Sequence, residues 1–262
     1  MALTAERYAE LTELCRRFRI DVLTAIHAAQ SGHPGGSLSV CEILTYLYQE
    51  HMNLDASKPD DPDRDRLVLS KGHAAPMLYR NLAEKGFFPV EEMMTLRRMG
   101  GLAGHPSMHT PGVEMPGGPL GQGFPAAQGM AMALKLNGSP AKVYAVLGDG
   151  ELDEGVIWET AMSAPKFKLD NLIAIVDYNK VQLDGTTDEV MPLGDLSAKW
   201  EAFGWTVLEC DGHDLEALDF CISVADGAVG APTVIIANTV KGKGVSFMEN
   251  QCGWHGVAPN DE

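Results

Sequence analysis

Apolar residues recur at helical spacing between residues 5 and 30, at Tyr8, Leu11, Leu14, Cys15, Phe18, Ile20, Leu23 and Ile26, which predicts a long amphipathic helix. Ser31-Gly32-His33-Pro34-Gly35-Gly36 should end it, because glycines and a proline break helical continuity. A second helical stretch is expected over 38–50. The polar, proline-broken segment 55–66 reads as a surface loop, and Arg66-Leu67-Val68-Leu69-Ser70 as a short strand leading into Lys71-Gly72-His73. From 100 to 123 the chain carries eight glycines and four prolines. Loops of that length are uncommon in compact domains and are often functional.

Beyond this loop the pattern becomes regular. A helix rich in small residues is expected over 124–137, then a strand at 142–147, a helix at 153–165 and a continuous apolar strand, Asn171–Val176. Helix–strand pairs at 195–203 with 205–209, and 214–226 with 233–237, complete the series. Continuous apolar strands alternating with helices predict an α/β fold, a parallel sheet with helices on both faces. No repeat, low-complexity tract or linker interrupts the chain, so residues 1–262 are expected to form a single α/β domain with an N-terminal helical extension.

Composition narrows the possible partners. Twenty Lys and Arg against 36 Asp and Glu give a net charge of −16, which argues against electrostatic capture of nucleic acid or an anionic membrane. A small positive pocket inside an acidic envelope remains compatible with that charge. Five scattered cysteines, an odd number with no C-x-x-C pair, do not suggest a disulfide framework or zinc knuckle. The N-terminus lacks an uninterrupted apolar core of the kind a secretory leader needs, and no stretch reaches the ~18 apolar residues of a membrane span. A reducing, cytoplasmic setting is the expectation.

Open parallel sheets bind ligands beyond the carboxyl ends of their strands. After the strand at 142–147 comes Gly148-Asp149-Gly150, and after Asn171–Val176 comes Asp177-Tyr178-Asn179-Lys180. Flanking glycines let the backbone approach an anion, Asp149 can hold a hard cation, and Asn179 can add a neutral oxygen from the neighbouring strand tip. Such a pair would bind a diphosphate through a metal. An isolated G-D-G is also what an ordinary strand-to-helix turn looks like. The dinucleotide fingerprint fails because Asp153 stands where its third glycine belongs, and no G-x-x-x-x-G-K-[ST] loop is present.

Four of the eight histidines, His33, His73, His105 and His255, lie in Gly- or Pro-rich contexts. Imidazoles can relay protons near neutral pH or donate to phosphate and hydroxyl oxygens. His27, His51, His109 and His213 are read as structural. Met130, Met132 and Leu134 are read as packing residues, Asp60-Asp61-Pro62-Asp63 as a solvated loop, and Glu91-Glu92 as the first turn of a helix after Pro89.

The segment from Gly148 to Gly185 resembles the thiamine diphosphate signature, a G-D-G followed some thirty residues later by an Asn beside the next strand. SGHPGGSLS (31–39), LSKGHAAPMLY (69–79), GHPSMHTPGVEMPGGPLGQG (104–123) and VKGKGVSFMEN with WHG (240–256) extend the likeness over nearly the whole chain. In this order they resemble the N-terminal, diphosphate-binding portion of transketolases. The resemblance implies a thiamine diphosphate-binding fold in which Asp149, Asn179 and the Val181 carbonyl ligate Mg²⁺, with Ca²⁺ or Mn²⁺ as substitutes. It implies that Gly150 and His73 contact the diphosphate, with Gly148 beside them. Gly118, Pro119 and Leu120 would line the cofactor pocket, and Glu154 would sit at its edge and at a subunit contact. His33, His105 and His255 would face the thiazolium and the sugar. Tyr178 stands where many thiamine enzymes have a second Asn. Lys71 and Ser107 replace an Asn and a Glu of many full-length transketolases, as in the split, two-subunit branch.

The resemblance also implies a missing half. In this family a glutamate on a pyrimidine-binding domain activates the coenzyme, and the sequence holds no segment for that domain before it ends at Glu262. A separate C-terminal transketolase subunit carrying the pyrimidine-binding domain is therefore expected as partner, in an α2β2 assembly. The expected reaction is transfer of a two-carbon ketol unit from a ketose phosphate to an aldose phosphate. The sugars are left open between pentose phosphates and branched or sulfonated sugars. Another thiamine enzyme subunit (2-oxo acid dehydrogenase α-like or deoxyxylulose phosphate synthase-like) and a non-catalytic homologue are the competing readings.

Overall fold

Side chains on a strand alternate between the two sides of the sheet, and that alternation sorts the core into two layers. The computed structural model describes residues 3–261, so residues 1, 2 and 262 of the expected 1–262 unit lie outside it. Five strands, β1 (Arg66–Leu69), β2 (Val143–Gly148), β3 (Leu172–Tyr178), β4 (Thr206–Asp211) and β5 (Thr233–Asn238), form one sheet in the order β1-β2-β3-β5-β4. Every pairing is parallel, as the apolar runs predicted, with Leu69 beside Val146, Val146 beside Ile175 and Ile175 beside Ile235. Tyr144, Val146, Ile173, Ile175 and Ile235 point into one layer. Their neighbours Val143, Ala145, Leu147, Leu172, Ala174, Val176, Val234 and Ile236 point into the other.

The first layer is covered by α1 (Ala5–Ala29), α3 (Cys41–Tyr46), α4 (Ala75–Lys85) and α9 (Leu215–Asp226). Helix α1 starts where the Thr4 hydroxyl accepts the Arg7 N–H at 3.2 Å, and it buries Leu11, Cys15, Phe18, Val22, Ala25 and Ile26. The second layer is covered by α5 (Gly123–Leu136), α6 (Gly155–Lys166) and α8 (Leu196–Ala202), built around Phe124, Ile157, Ala161 and Trp200. No helix among the described residues is long and apolar enough to cross a membrane.

The expected stop at Ser31–Gly36 is only half correct. Helix α1 does end, on Gln30 in the left-handed conformation (φ 50°). The chain then enters a new buried helix, α2 (Pro34–Ser39), with Pro34 in its first turn, where a missing N–H does no harm. Its glycines serve close approach, not turning. A Cβ on Gly35 would fall 2.9 Å from the Trp254 carbonyl oxygen, and one on Gly36 would fall 2.9 Å from His73 Nε2. The helical stretch expected at 38–50 is split between α3 and a wider turn over Leu47–His51. The turn after Pro89 is a 3₁₀ segment, Val90–Thr95. A short helix not foreseen, α7 (Thr187–Val190), is held by a reciprocal cap between Thr186 and Glu189.

Trp200 is fully buried, with the rings of Trp205, Trp158 and Phe124 at 5.0, 5.4 and 6.0 Å. Trp200→Ala is expected to lower stability by about 3–5 kcal/mol in urea unfolding. Trp200→Phe should cost much less, because the indole N–H has no hydrogen-bond partner to lose. Equal losses in the two variants would show that volume does not govern this layer.

Candidate active site

Parallel strands bring their carboxyl ends to one edge of the sheet, and the tips of β1, β2, β3 and β5 carry Lys71, Asp149, Asp177 with Asn179, and Lys241. Asp177 is wholly buried and accepts hydrogen bonds from Lys71 Nζ, from the Ser39 hydroxyl at 2.6 Å and from the Thr239 hydroxyl. Burial alone would raise its pKa, but Lys71 and the two hydroxyls outweigh burial and hold the carboxyl below its ordinary range. Lys71 is itself 1% exposed and also donates to the Gly36 carbonyl at 3.2 Å. This pair pins β1 to β3, and its partners tie in α2 and the segment after β5.

Asp149 stands at the tip of β2, nearly buried. Its Oδ1 accepts the Gly150 N–H at 2.8 Å, and Oδ2 accepts the Lys180 N–H. Burial and the neighbouring Asp177 carboxylate push its pKa up to about 6, against the opposing pull of those N–H groups and Lys71. Asn179 Oδ1 lies in the same corner, accepting the Val181 N–H at 3.1 Å. Carboxylate, amide oxygen and backbone carbonyl form the all-oxygen donor set that Mg²⁺ prefers, so the residues present fit that ion. Here the Val181 carbonyl accepts from Lys241 Nζ at 3.0 Å, and the Gln182 carbonyl does so at 2.9 Å. Burial, then Lys71, lowers Lys241 to about 8.

These groups line a cleft of about 170 Å³, below the roughly 300–1,000 Å³ of complete small-molecule sites. Its wall includes His73, Leu120, Gly148, Asp149, Gly150, Asn179, Val181 and His255 from the sequence-derived set. His33, His105, Gly118, Pro119 and Glu154 lie outside that wall. Gly118 (φ 140°) packs on Gly72, whose Cβ would meet the Gly118 nitrogen at 2.8 Å. Glu154 is exposed and lies against Gly121. Lys241, Glu151 and Gly36 line the cleft without having been singled out as site residues. Glu151 accepts the Gly121 N–H at 2.8 Å, the Gly148 N–H at 3.0 Å and the Ser70 hydroxyl, which fastens the glycine-rich loop to the sheet. Its clue was its place in G-D-G-E; Lys241 belonged to the V-K-G-K-G run.

The four histidines from Gly- and Pro-rich segments converge. His33 has its ring centroid 5.6 Å from those of His73, His105 and His255, and His73 is 5.0 Å from His255. Burial lowers all four pKa values. It acts with Arg97, His105 and Lys241 on His33 (to about 4), and with Lys241, His33 and Lys71 on His255 (to about 3). His73 is held well below its usual range by burial and then Lys71, and His105 is lowered by burial and then Arg97. All four are neutral at pH 7. The other four histidines lie off the cleft wall: His27 meets Asp261, His51 meets Tyr144 and Asp226, His213 meets Glu42, and His109 is exposed.

One further cluster could suggest a metal. Ligand atoms of Cys15, Cys41 and Glu42 lie within 4.8 Å of one another. Arg19 and His213 already occupy the Glu42 carboxylate, however, and burial pushes the Cys41 thiol up. That leaves no free anionic donor set.

The family profile "Transketolase, thiamine diphosphate binding domain" matches residues 11–262. The chain is 46% identical over 260 residues to the 6-deoxy-6-sulfo-D-fructose transketolase subunit SqwG of a Clostridium species, spanning 98% of this chain and 94% of that protein. It is 44% identical over 238 residues to an apulose-4-phosphate transketolase subunit of Phocaeicola vulgatus, spanning 90% and 85% of the two. A transketolase from Leishmania mexicana superposes with a TM-score of 0.90 at 30% identity, over 95% of this chain but 39% of that one. The chain therefore spans about 39% of the length of that structural relative.

Lys71→Met is expected to destabilise the fold by about 3–5 kcal/mol at pH 7, because it strands the buried Asp177 charge. Lys71→Met with Asp177→Leu should recover much of that loss in urea titrations. A single substitution that leaves stability unchanged would show that the pair does not hold the strand tips together.

Proposed function

Because the chain belongs to the transketolase family, as its thiamine diphosphate-binding domain, we propose that it is the N-terminal subunit of a split transketolase. In this reading it moves a two-carbon ketol unit from a ketose phosphate to an aldose phosphate. The observation that carries the reading is the juxtaposition of an oxygen-donor corner at two adjacent strand tips with a ring of four neutral histidines. Asp149, Asn179 and the Val181 carbonyl would hold Mg²⁺. His73, Gly150 and Lys241 would meet the diphosphate, since a histidine N–H, a glycine backbone and an ammonium are what an anion needs there. Bound in that corner, thiamine diphosphate would supply the electron sink for cleavage of the donor's carbon–carbon bond.

The chain's own contribution is orientation and proton handling. Gly36 allows α2 to approach His73 closely enough that any side chain would collide with it. His33, His105 and His255 would present imidazoles to sugar hydroxyls, and His255 is tied to the metal corner through Lys241, whose Nζ is 2.9 Å from its Nδ1 and 3.0 Å from the Val181 carbonyl. The cleft is open toward Leu120 and Leu183, which are exposed at 39% and 60%. An apolar, exposed rim on a shallow cleft suits a partner chain that completes the site, and the relatives of matching length are named as subunits. An α2β2 complex in the cytoplasm fits this reading. The choice between phosphorylated, branched and sulfonated sugars rests with groups the partner would bring.

Asp149→Ala is expected to keep the fold and to weaken Mg²⁺-dependent coenzyme binding by about 100-fold or more, at or beyond the upper end of the ~10–100-fold effect of losing an outer-shell partner. Isothermal titration of the reconstituted pair, with and without Mg²⁺, reads this directly. Unchanged affinity would remove Asp149 from the metal shell.

The pH dependence of metal affinity follows from the same carboxyl. A proton competes with the ion once pH falls below about 6, where Asp149 titrates. Mg²⁺ affinity should therefore be flat above that pH and fall by up to about tenfold per unit below it. A flat profile down to pH 5 would contradict the assignment. Full-rate turnover of a ketose phosphate by this chain alone would refute the split arrangement.

A further inference from the structure

His33 is fixed in place by its backbone. It precedes α2, and its carbonyl accepts the Ser37 hydroxyl at 2.7 Å. Its ring Nδ1 lies 3.3 Å from Arg97 Nη2, while Arg97 Nη1 donates to Ser31 Oγ at 3.1 Å. Arg97 is unusually constrained for an exposed arginine. Its backbone is left-handed (φ 59°), and its N–H donates to the Leu102 carbonyl at 2.7 Å. Its guanidinium lies across Gly104, where a Cβ would come within 2.7 Å of Cζ and Nε. The backbone around this side chain is therefore shaped to put the guanidinium at His33.

A guanidinium carries only donors and does not lose its proton at ordinary pH. The His33 nitrogen that faces it must therefore offer a lone pair, which places the ring proton on Nε2. The charged and titratable groups facing the ring are Arg97, Lys241, His73, His105 and His255. None is an acid, so nothing in that set favours a second proton on His33. His255 repeats the construction, with Lys241 Nζ 2.9 Å from its Nδ1.

We propose that Arg97 is a positioning residue that locks His33 as its neutral Nε2–H tautomer, so that His33 meets a sugar oxygen as a hydrogen-bond donor and not as the base that removes its proton. The sugar contact rests on the ketol-transfer reading; the tautomer lock does not.

Long-range ¹H–¹⁵N spectra of the full chain labelled with ¹⁵N-histidine, with His33 assigned by its loss in His33→Gln, read the tautomer without coenzyme or partner. The wild-type protein should show bare Nδ1 and protonated Nε2 at pH 7, with no titration of His33 above pH 5. Arg97→Gln should mix the two tautomers and move the titration upward, and Arg97→Lys should restore the single tautomer. A proton on Nδ1 in the wild type, or an identical spectrum in Arg97→Gln, overturns the proposal. If Arg97→Gln does not fold, Ser31→Ala, which frees one side of the guanidinium, should loosen the tautomer in the same direction, and an unaltered spectrum there counts equally against it.

In the reconstituted pair with a ketose phosphate donor, Arg97→Gln should lower kcat/KM about tenfold, and Arg97→Lys should recover most of it. An inactive wild-type pair with the expected spectrum would retire the ketol-transfer reading, and the sugar contact with it, while leaving the lock intact. An active pair with the contrary spectrum would do the reverse.

Discussion

A lysine and an aspartate, both withdrawn from water, hold the strand tips in register. Lys71 and Asp177 are 106 residues apart in sequence, 1% and 0% exposed, and in direct contact. Burying two charges is expensive, and their attraction repays it only when the remaining donors and acceptors are satisfied. Here Ser39, Thr239 and the Gly36 carbonyl complete the set. They come from separate stretches of chain, so the pair can be satisfied only when α2, β1, β3 and the segment after β5 are all in place. A hydrophobic pair could fill that volume, but it would set no direction for the polar groups around it. The corner beside it depends on those directions, because Asp149 feels both the Asp177 carboxylate and the Lys71 ammonium.

Charge organisation follows from that constraint. The chain as a whole is at −16, yet its cleft contains two buried lysines, and Arg97 stands beside the histidines. An acidic envelope keeps non-specific anions away, while a few desolvated cations act locally with little screening. Beside the Lys71–Asp177 pair the cleft thus has two poles: the Asp149 carboxylate, which meets backbone N–H groups, and the Lys241 ammonium, which meets two carbonyls and His255 Nδ1. A metal diphosphate carries both complementary charges at the right scale. Either pole alone would attract a bare ion, whereas the two together would suit a composite ligand.

Much of this was legible in the chain itself. Uninterrupted apolar runs such as NLIAIV can be buried on both faces only in a covered parallel sheet, and the five strands pair in that way. The histidines of four distant glycine- and proline-rich segments also gather, with the rings of His73, His105 and His255 each 5.6 Å from that of His33. Helix α2 was hidden because glycine serves two purposes, turning a chain and letting two surfaces touch, and only the His73 and Trp254 contacts tell them apart. Lys71 could be read as a departure from many full-length transketolases, but not as the partner of Asp177, since a contact spanning so much chain has no local signature. Arg97 carried no signal: its left-handed backbone and its position over Gly104 arise from tertiary packing.

The state of the histidines decides what kind of chemistry this chain can perform. Burial and the cations behind their Nδ1 atoms lower His33 to about 4 and His255 to about 3, so neither holds a second proton to give up at neutral pH. They are better suited to binding a polyhydroxylated chain through N–H donors than to driving proton removal. A coenzyme bound here would supply the electron sink for carbon–carbon cleavage, and the part of these rings would be to orient the hydroxyls. A cluster of neutral imidazoles meets that demand at lower cost than charged ones, which would repel one another at 5–6 Å. Burial, and after it the flanking cations, keeps the rings uncharged and lets four histidines share so small a space.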